Sequence, residues 1–445
     1  MGSDAYRRYV LGVLTAVYTL NFLDRGLIGL LLQPIQADLH LSDTQLGFLT
    51  GIAFGLFYAT LGLPIARLAD RGNRVTITSL AIGLWGLTVM GCVFVTNFTQ
   101  LVLARVAAAV GESGCMPPTY SLVGDYFPTP AQRVRAMAVY WLANPLAGLI
   151  SFIAGGRLNE LYGWRATFFI MGIPALLVAM LVKLTVRDPR VALPSGAVQS
   201  EAVPMLSDAV RWCWYQPSAR HLGAGIVLLF TMGLGLAPWY AAFMIRSHGM
   251  GTAELGVWLG VIAGVCATSG TLVGGYAAAR WYADDERRQM RLAAIVTATL
   301  VPCYAVFLLV PGKRAALFAL GPLLFMFSAL LGPVFALLQQ RVPDRMRATA
   351  LALVMLLANL IGMGLGPQMV GIMSDHLRET VGSDSLRYAM LAMSLISLWA
   401  AYHFWKVSQS VRVDLSSAAH LEERACAPSP SSCTSSPPGL SGRRR

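Results

Sequence analysis

Residues 9–32 read YVLGVLTAVYTLNFLDRGLIGLLL, an apolar run that is interrupted by two adjacent charges, Asp24 and Arg25. At about 1.5 Å per residue, a helix over this run is long enough to cross the roughly 30 Å hydrocarbon core of a bilayer. A charge at that depth costs about 2.5–3.5 kcal/mol on insertion scales, so such charges generally mark a substrate pathway or a proton relay. The run therefore predicts a membrane helix that carries functional residues.

The rest of the chain repeats this kind of run. Of its 445 residues, 56% are hydrophobic and only 13% are charged, whereas a soluble globular domain has about one quarter charged residues. Twelve apolar runs are each long enough to span the membrane. They lie near residues 9–32, 47–66, 75–96, 98–123, 137–156, 165–186, 221–245, 255–281, 291–310, 315–339, 349–373 and 386–407. This pattern predicts an all-α membrane protein with twelve transmembrane helices.

The net charge of +12 reports the orientation of these spans and is no sign of a nucleic-acid partner. Of the 34 Lys and Arg residues, 25 fall on the face that holds both termini, seven fall in the loops of the other face, and Arg25 and Arg105 lie within spans. Cytoplasmic loops carry such an excess of positive charge. We therefore expect both termini in the cytoplasm of a multi-pass cell-membrane protein, at the inner membrane in a Gram-negative cell.

The cysteines and histidines show no pattern of a metal, redox or enzyme site. The seven cysteines lie mostly within spans, where they are expected to pack as small apolar side chains. The six histidines lie mostly at loops or span ends and lack the His-Glu-x-x-His spacing. We expect no enzyme activity, no bound metal and no cofactor.

The chain contains an internal repeat. Residues 133–138 (RVRAMA) recur at 345–350 (RMRATA), and the Leu-Ala-Asn of 142–144 recurs at 357–359. The offsets of 212 and 215 residues correspond to six spans, which predicts a parallel repeat about an axis along the membrane normal, with a cavity between two six-helix bundles. The Ser- and Pro-rich composition of the C-terminal end predicts disorder. We assign the N-terminal bundle to 1–190, a cytoplasmic connector to 191–220, the C-terminal bundle to 221–410 and a disordered cytoplasmic tail to 411–445.

Four charges of the N-terminal bundle lie at related depths. Asp24 in span 1 and Arg105 in span 4 are roughly 12 Å and 10 Å from the outer ends of their helices, so packing of the spans brings them together. Glu112 is deeper on the same face as Arg105, because seven residues are nearly two turns. Burial favours a neutral carboxylate and a nearby arginine favours a charged one, so we interpret Asp24, Arg105 and Glu112 as a proton-coupling set. A structural ion pair is the alternative.

The central cavity is predicted to be charged on one side only. Arg25 points about 100° away from Asp24 and either meets an anionic group of a substrate or extends outward to the interface. Prolines after Asn144 and before Trp239 interrupt spans 5 and 7. We assign Arg25, Asn144, Trp239, Tyr240 and Asn359 to the cavity, with packing or interface roles as the alternative for the aromatic residues. Such a cavity suits an amphipathic solute.

The loop after span 2 reads ARLADRGNR over residues 66–74. Glycine and asparagine next to each other predict a tight turn, because both tolerate positive φ. The charged side chains can then make contacts with neighbouring helix ends that change with conformation. We interpret Asp70, Arg71, Asn73 and Arg74 as a conformational latch and not as a substrate site.

Five stretches of the N-terminal bundle carry a family resemblance. They are NFLDR at 21–25, LSDTQLG at 41–47, GLPIARLADR at 62–71, GE at 111–112 and GDYFP at 124–128. With the two-bundle organisation, they resemble the major facilitator superfamily over residues 5–410, and more specifically a bacterial member of the spinster family. The chain departs from the superfamily's latch pattern at Asn73, where a glycine is usual, and at Val75, where a basic residue is usual.

The resemblance implies export or flipping of lysophospholipids or sphingosine phosphate-like lipids with proton coupling, and it implies coupling roles for Asp24, Arg25, Arg105 and Glu112. The Asp-Arg pair of span 1 also occurs in organic-anion symporters of the superfamily. Our first hypothesis is a monomeric, proton-coupled secondary transporter of an amphipathic, anionic lipid such as a lysophospholipid, which works by alternating access among membrane lipids. The alternative is a proton-coupled symporter of a small organic anion or sugar acid.

Overall fold

The computed structural model of the chain describes residues 3–189, 210–211, 214–281, 285–342 and 346–410. These residues form helices joined by short turns, and no strand occurs among them. The predicted tail at 411–445 and most of the predicted connector at 191–220 lie outside the described residues. The all-α fold class is confirmed.

The N-terminal half begins with one long helix and continues through seven more. Their bounds are α1 Asp4–Leu39, α2 Asp43–Thr50, α3 Ile52–Arg71, α4 Arg74–Gly91, α5 Phe98–Ser113, α6 Met116–Tyr126, α7 Pro130–Trp141 and α8 Ala143–Thr185. A 3-10 turn over Cys92–Phe94 follows α4. The long α8 is two helices joined at Gly163, whose φ of 78° and ψ of 170° are not helical and turn the chain back through the membrane.

The C-terminal half follows the same plan. Its helices are α9 Pro217–Leu236, α10 Trp239–His248, α11 Thr252–Ile262, α12 Thr268–Trp281, α13 Glu286–Leu309, α14 Lys313–Arg341, α15 Arg347–Leu357, α16 Gly366–Val381, α17 Ser385–Ser394 and α18 over 396–410. Two π-helical segments, Ala263–Ala267 and Ala358–Leu365, join α11 to α12 and α15 to α16. Such segments often mark functional sites inside helices.

These helices combine into twelve crossings, which we number as spans. Span 2 is α2 with α3, span 4 is α5 with α6, and α8 contributes the second part of span 5 and the whole of span 6. Within the described part of the chain, length and hydropathy alone mark eight helical stretches. Two of these, Ala131–Thr185 and Thr349–Ser410, are 55 and 62 residues long and hold two crossings each. The two crossings outside these stretches are spans 1 and 4, which carry the paired charges.

The two bundles, spans 1–6 and spans 7–12, meet in one half of the membrane. We call the side where residues 4 and 410 lie the terminal face and the other side the opposite face. Span 2 packs against span 11, span 5 against span 8, and span 1 against the end of span 7. These contacts close the opposite face.

A stripe of glycines on span 2 allows the bundles to approach closely. A Cβ on Gly47 would lie 2.6 Å from the carbonyl oxygen of Pro367, and one on Gly55 would lie 3.0 Å from the Cα of Gly364. Gly51, between them, faces the carbonyl oxygen of Gly364 even more closely. Small residues four apart permit such backbone contact between membrane helices.

The internal repeat duplicates this stripe on span 8. Gly256, Gly260 and Gly264 follow the first stripe at an offset of 209 residues, and they pack on span 5. A Cβ on Gly260 would lie 3.1 Å from Ile153, and one on Gly264 would lie 3.5 Å from Leu149. Two equivalent glycine stripes therefore hold the opposite face shut.

We predict that Gly51→Ala weakens this closure by about 1–3 kcal/mol, the usual cost of overpacking. The added methyl group collides with the backbone of span 11. The melting temperature in detergent should fall, and a cysteine introduced at Asn144 should react faster with an impermeant thiol reagent added at the opposite face. Gly62→Ala is the matched control on the same span, because a Cβ there meets nothing within 4 Å. Equal effects of both substitutions would contradict the role of the stripe.

Candidate functional site

Asp24 and Arg105 form a buried ion pair between span 1 and span 4. An Nη atom of Arg105 donates to a carboxylate oxygen of Asp24, and both side chains are almost fully buried. The guanidinium of Arg105 also lies 4.9 Å from the centre of the Phe54 ring. The depths read from the sequence predicted this contact, and the structure contains it.

Glu112 contacts Arg25, a pairing that the sequence did not predict. The Nε of Arg25 lies 3.4 Å from Oε2 of Glu112, whose side chain is fully buried. The other carboxylate oxygen, Oε1, has no hydrogen-bond partner among the described residues. The side chain of Asn21 donates to the backbone carbonyl of Glu112 over 3.1 Å and ties span 1 to span 4 at this level. Arg25 therefore turns toward the bundle interior and does not extend to the membrane interface.

Three aromatic rings surround the guanidinium of Arg25. Its Cζ lies 4.7 Å from the ring centres of Phe22 and Tyr58 and 5.2 Å from that of Phe54. Across the bundle boundary, its Nη1 approaches the sulfur of Met363 at 3.9 Å. The Arg25 side chain remains 25% exposed, against 5% for Arg105. Arg25 is thus the more accessible of the two membrane arginines.

A cavity of about 520 Å³ lies between the bundles next to these charges. Its N-terminal wall includes Phe22, Arg25, Phe54, Arg105, Asn144 and Phe152. Its C-terminal wall includes Leu234, Tyr240, Leu259, Thr268, Ser328 and Met363. The two arginines are the charged residues of this lining, and both belong to the N-terminal bundle. Guanidinium groups therefore lie on one wall of the cavity, and the other wall is mainly apolar.

Two residues that the sequence assigned to the cavity lie elsewhere. Asn144 and Tyr240 line it, but Trp239 is fully buried and donates its indole N–H to the carbonyl of Pro367 over 3.3 Å. Side chains at adjacent positions of a helix point about 100° apart. Trp239 therefore faces span 11, whereas Tyr240 faces the cavity. Asn359 lies in the π-helical segment and donates to the carbonyl of Met355 over 2.8 Å, away from the lining. Neither side chain belongs to the lining of this cavity, and a role of either in substrate binding stays a prediction.

The turn between spans 2 and 3 is held by Asn73 and Arg74. Asn73 caps α4, because its side chain accepts the backbone N–H of Thr76 at 3.0 Å. Arg74 is fully buried and pairs with Asp125 and Asp188, each at 2.6 Å. Both carboxylates belong to the N-terminal bundle, so Arg74 joins spans 3, 4 and 6. The side chains of Asp70 and Arg71 lie outside the described residues, and the latch stays a prediction.

A polar network at the opposite face was missed by the sequence reasoning. The buried carboxylate of Asp43, at the start of span 2, accepts from Arg246 at 2.6 and 2.8 Å and from Ser374 at 2.6 Å. The carboxylate of Asp375 in turn accepts the backbone N–H groups of Asp43 and Thr44 at 3.1 and 2.7 Å. Arg246, Ser374 and Asp375 belong to the C-terminal bundle, so this network bridges the two bundles.

One sequence signal pointed to this network. Ser42 and Gln45 form a capping box that starts α2 and leaves Asp43 at its first position. The helix N-terminus favours a carboxylate there. The contact of Asp43 with Arg246 could not be predicted, because the two residues are far apart in sequence and meet only when the bundles pack.

The comparisons with known proteins agree with this architecture. The sequence profile of the Major Facilitator Superfamily matches residues 14–367. The chain belongs to the major facilitator superfamily. An MFS-type efflux pump of Mycolicibacterium smegmatis is 33% identical over 410 residues, which cover 91% of this chain and 93% of that protein. The hexuronate transporter of Bacillus subtilis is 23% identical, over 80% of this chain and 85% of that protein.

A solved structure of a spinster relative is also similar to this transporter. It is a crystal structure of a bacterial homolog of the human lysosomal transporter spinster, in an inward-facing and unoccupied conformation. The two chains share 30% sequence identity and superpose with a TM-score of 0.82, over 92% of this chain and 98% of the other. The predictions of a spinster-like superfamily member and of a transporter instead of an enzyme are confirmed.

We predict that Arg105→Ala lowers the free energy of unfolding of this transporter by about 3–5 kcal/mol, because it leaves the buried Asp24 carboxylate without its partner. Adding Asp24→Asn should recover part of the loss, since the uncompensated charge is then removed. Lys313→Ala is the control, because its pair with Glu254 is nearly half exposed and is worth about 0–1 kcal/mol. Denaturant titration in mixed micelles measures all three. A loss at Arg105 no larger than that at Lys313 would refute the pair's contribution.

Proposed function

We propose that this transporter uses a proton gradient to move an amphipathic anion, with lysophospholipids as the favoured class, by alternating access between the two faces of the membrane. The observation that carries the proposal is the one-sided cavity. Two arginines and Asn144 lie on its N-terminal wall, and apolar and hydroxyl side chains form the rest of the lining that the structure describes.

The size and chemistry of the cavity support an amphipathic substrate. A volume of about 520 Å³ lies within the range of about 300–1,000 Å³ that is typical of ligand sites. Arg25 presents a partly exposed guanidinium, which pairs well with phosphate or carboxylate oxygens. Arg105 is already bound to Asp24. An anionic headgroup at Arg25 would leave an acyl chain against the apolar wall.

Glu112 is our proposed proton-binding residue. It is fully buried, holds Arg25 by one long contact and has no partner at its second oxygen among the described residues. A carboxylate in low dielectric favours its neutral form, and an adjacent arginine opposes this. An anion that draws Arg25 away from Glu112 therefore promotes protonation of Glu112. By reciprocity, a proton on Glu112 strengthens binding of the anion.

The Asp24–Arg105 pair has a different part in this proposal. The two side chains are buried and directly hydrogen-bonded to each other. Because Arg105 is held by Asp24, it does not compete with Arg25 for the substrate. The charge asymmetry of the loops supports a cytoplasmic terminal face in the cell membrane. With the opposite face closed, the cavity then belongs to the cytoplasm-accessible state of a monomeric transporter that needs no cofactor besides the gradient.

A proton-coupled symporter of a small organic anion or sugar acid is the second candidate. The similarity to a hexuronate transporter and the accessible Arg25 favour it. A hydrophilic substrate also needs polar partners on the C-terminal wall. The hydroxyl of Tyr240, one of the few polar groups there, is already paired with that of Tyr304 at 2.6 Å. This favours the amphipathic substrate.

We predict that Glu112→Gln reduces transport driven by an imposed pH gradient in proteoliposomes to the level of empty liposomes, because the side chain no longer binds and releases a proton. Substrate exchange without a gradient should persist, since Arg25 is unchanged. Glu254→Gln, at an exposed carboxylate, is the matched control and should transport at the wild-type rate. Gradient-driven transport at the wild-type rate in Glu112→Gln would remove this residue from the coupling mechanism.

We also predict that lysophosphatidylglycerol raises the melting temperature more than glucuronate or gluconate do, because it fills both the charged and the apolar wall. At 100 times its dissociation constant a ligand stabilises by about 2.7 kcal/mol. Arg25→Gln should reduce the increase, and a monoacylglycerol with the same acyl chain controls for detergent-like effects. A larger increase with the sugar acids would favour the second candidate.

A further inference from the structure

Phe54 lies between the two membrane arginines. The centre of its ring is 5.2 Å from Cζ of Arg25 and 4.9 Å from Cζ of Arg105. The ring is buried and stacks on Tyr58 at 5.5 Å with an interplanar angle of 17°. Aromatic faces attract guanidinium groups, and the attraction grows when water is excluded. One ring thus contacts the cations of both ion pairs, Asp24–Arg105 and Arg25–Glu112.

Phe54 also belongs to the contact between the bundles. It immediately precedes Gly55, whose backbone packs on Gly364 of span 11. With Ala109 and Met363 it forms a small apolar cluster that is separate from the main core. Met363 comes from the C-terminal bundle, and its sulfur lies 3.9 Å from Nη1 of Arg25. The position of the Phe54 ring therefore depends on how closely span 2 and span 11 approach each other.

This arrangement connects two events that alternating access must link. When the opposite face opens, span 2 and span 11 separate, so Phe54 loses its contact with Met363 and Gly55 loses its contact with Gly364. The ring then no longer holds both guanidinium groups in place, and Arg25 is free to move relative to Glu112. A motion of the bundles is thereby converted into a change in the environment of a carboxylate.

We propose that Phe54 is a positioning residue that links the separation of the two bundles to the pairing of Arg25 with Glu112. The inference rests on the proposed proton-coupled transport and adds the element that transmits the motion. It assigns the link to span 2, which carries none of the four membrane charges. The charged and titratable groups around Glu112 and Arg25 are Tyr18, Asp24, Tyr58, Arg105 and Cys115.

The test is the pH profile of transport by the full-length protein in proteoliposomes, with lysophosphatidylglycerol as the substrate. Phe54→Leu removes the ring but keeps an apolar side chain. We expect the pH of half-maximal rate to move up by about one unit, equivalent to roughly tenfold in proton affinity. The reason for the sign is that a displaced Arg25 stabilises the charged form of Glu112 less, so the proton is held to higher pH. Phe54→Tyr keeps the ring and should keep the wild-type profile.

Phe57→Leu is the matched control, because Phe57 lies one turn further along the same span and is exposed. It should leave the profile unchanged. If Phe54→Leu does not fold, Phe54→Met offers a similar volume without a ring and the same upward shift is expected. A wild-type profile in the folded ringless variant would overturn the inference while leaving the proposed function intact. A wild-type protein whose transport does not respond to pH would overturn both.

Discussion

The free-energy cost of placing charges in a membrane determines how the helices of the N-terminal bundle pack. Asp24, Arg25, Arg105 and Glu112 carry no net charge together, and the structure joins them as two pairs between span 1 and span 4. Unpaired, each would cost several kcal/mol in hydrocarbon. Spans 1 and 4 must therefore pack against each other in one register. The two pairs differ, because Asp24–Arg105 is a direct, buried contact and Glu112 keeps one oxygen without a partner among the described residues.

The internal repeat duplicates the glycine stripes but not the four membrane charges. Glycine stripes on spans 2 and 8 occupy equivalent positions, and each packs on a span of the other bundle. Among the described residues, in contrast, the charged lining of the cavity comes from the N-terminal bundle. Two symmetric surfaces thus allow the bundles to close together, while an asymmetric pair of arginines gives the cavity its polarity. Phe54 lies where the two features meet, next to Gly55 and between the arginines.

Helix geometry predicted the positions of residues where only their depth in the membrane, or their place along one helix, mattered. The Asp24–Arg105 contact followed from depth, and Tyr240 and Asn144 were found to line the cavity. Helix geometry did not predict which way a long side chain extends, or which of two adjacent side chains faces the cavity. Trp239 donates to the backbone of span 11. Arg25 lines the cavity, but its contact with Glu112 was not predicted. Each outcome depends on which surface the other helices leave open, and one helix does not contain that information.

The sequence by itself determined the membrane class, the number of crossings, the repeat and the identity of the four membrane charges, because hydropathy, periodicity and charge cost act within single helices. Only the tertiary structure decided the partner of Glu112, the aromatic enclosure of Arg25 and the network of Asp43, Arg246 and Asp375. Those contacts join residues of different spans, and in the last case of different bundles. Their energies depend on distances of a few ångströms, which exist only once the helices have packed.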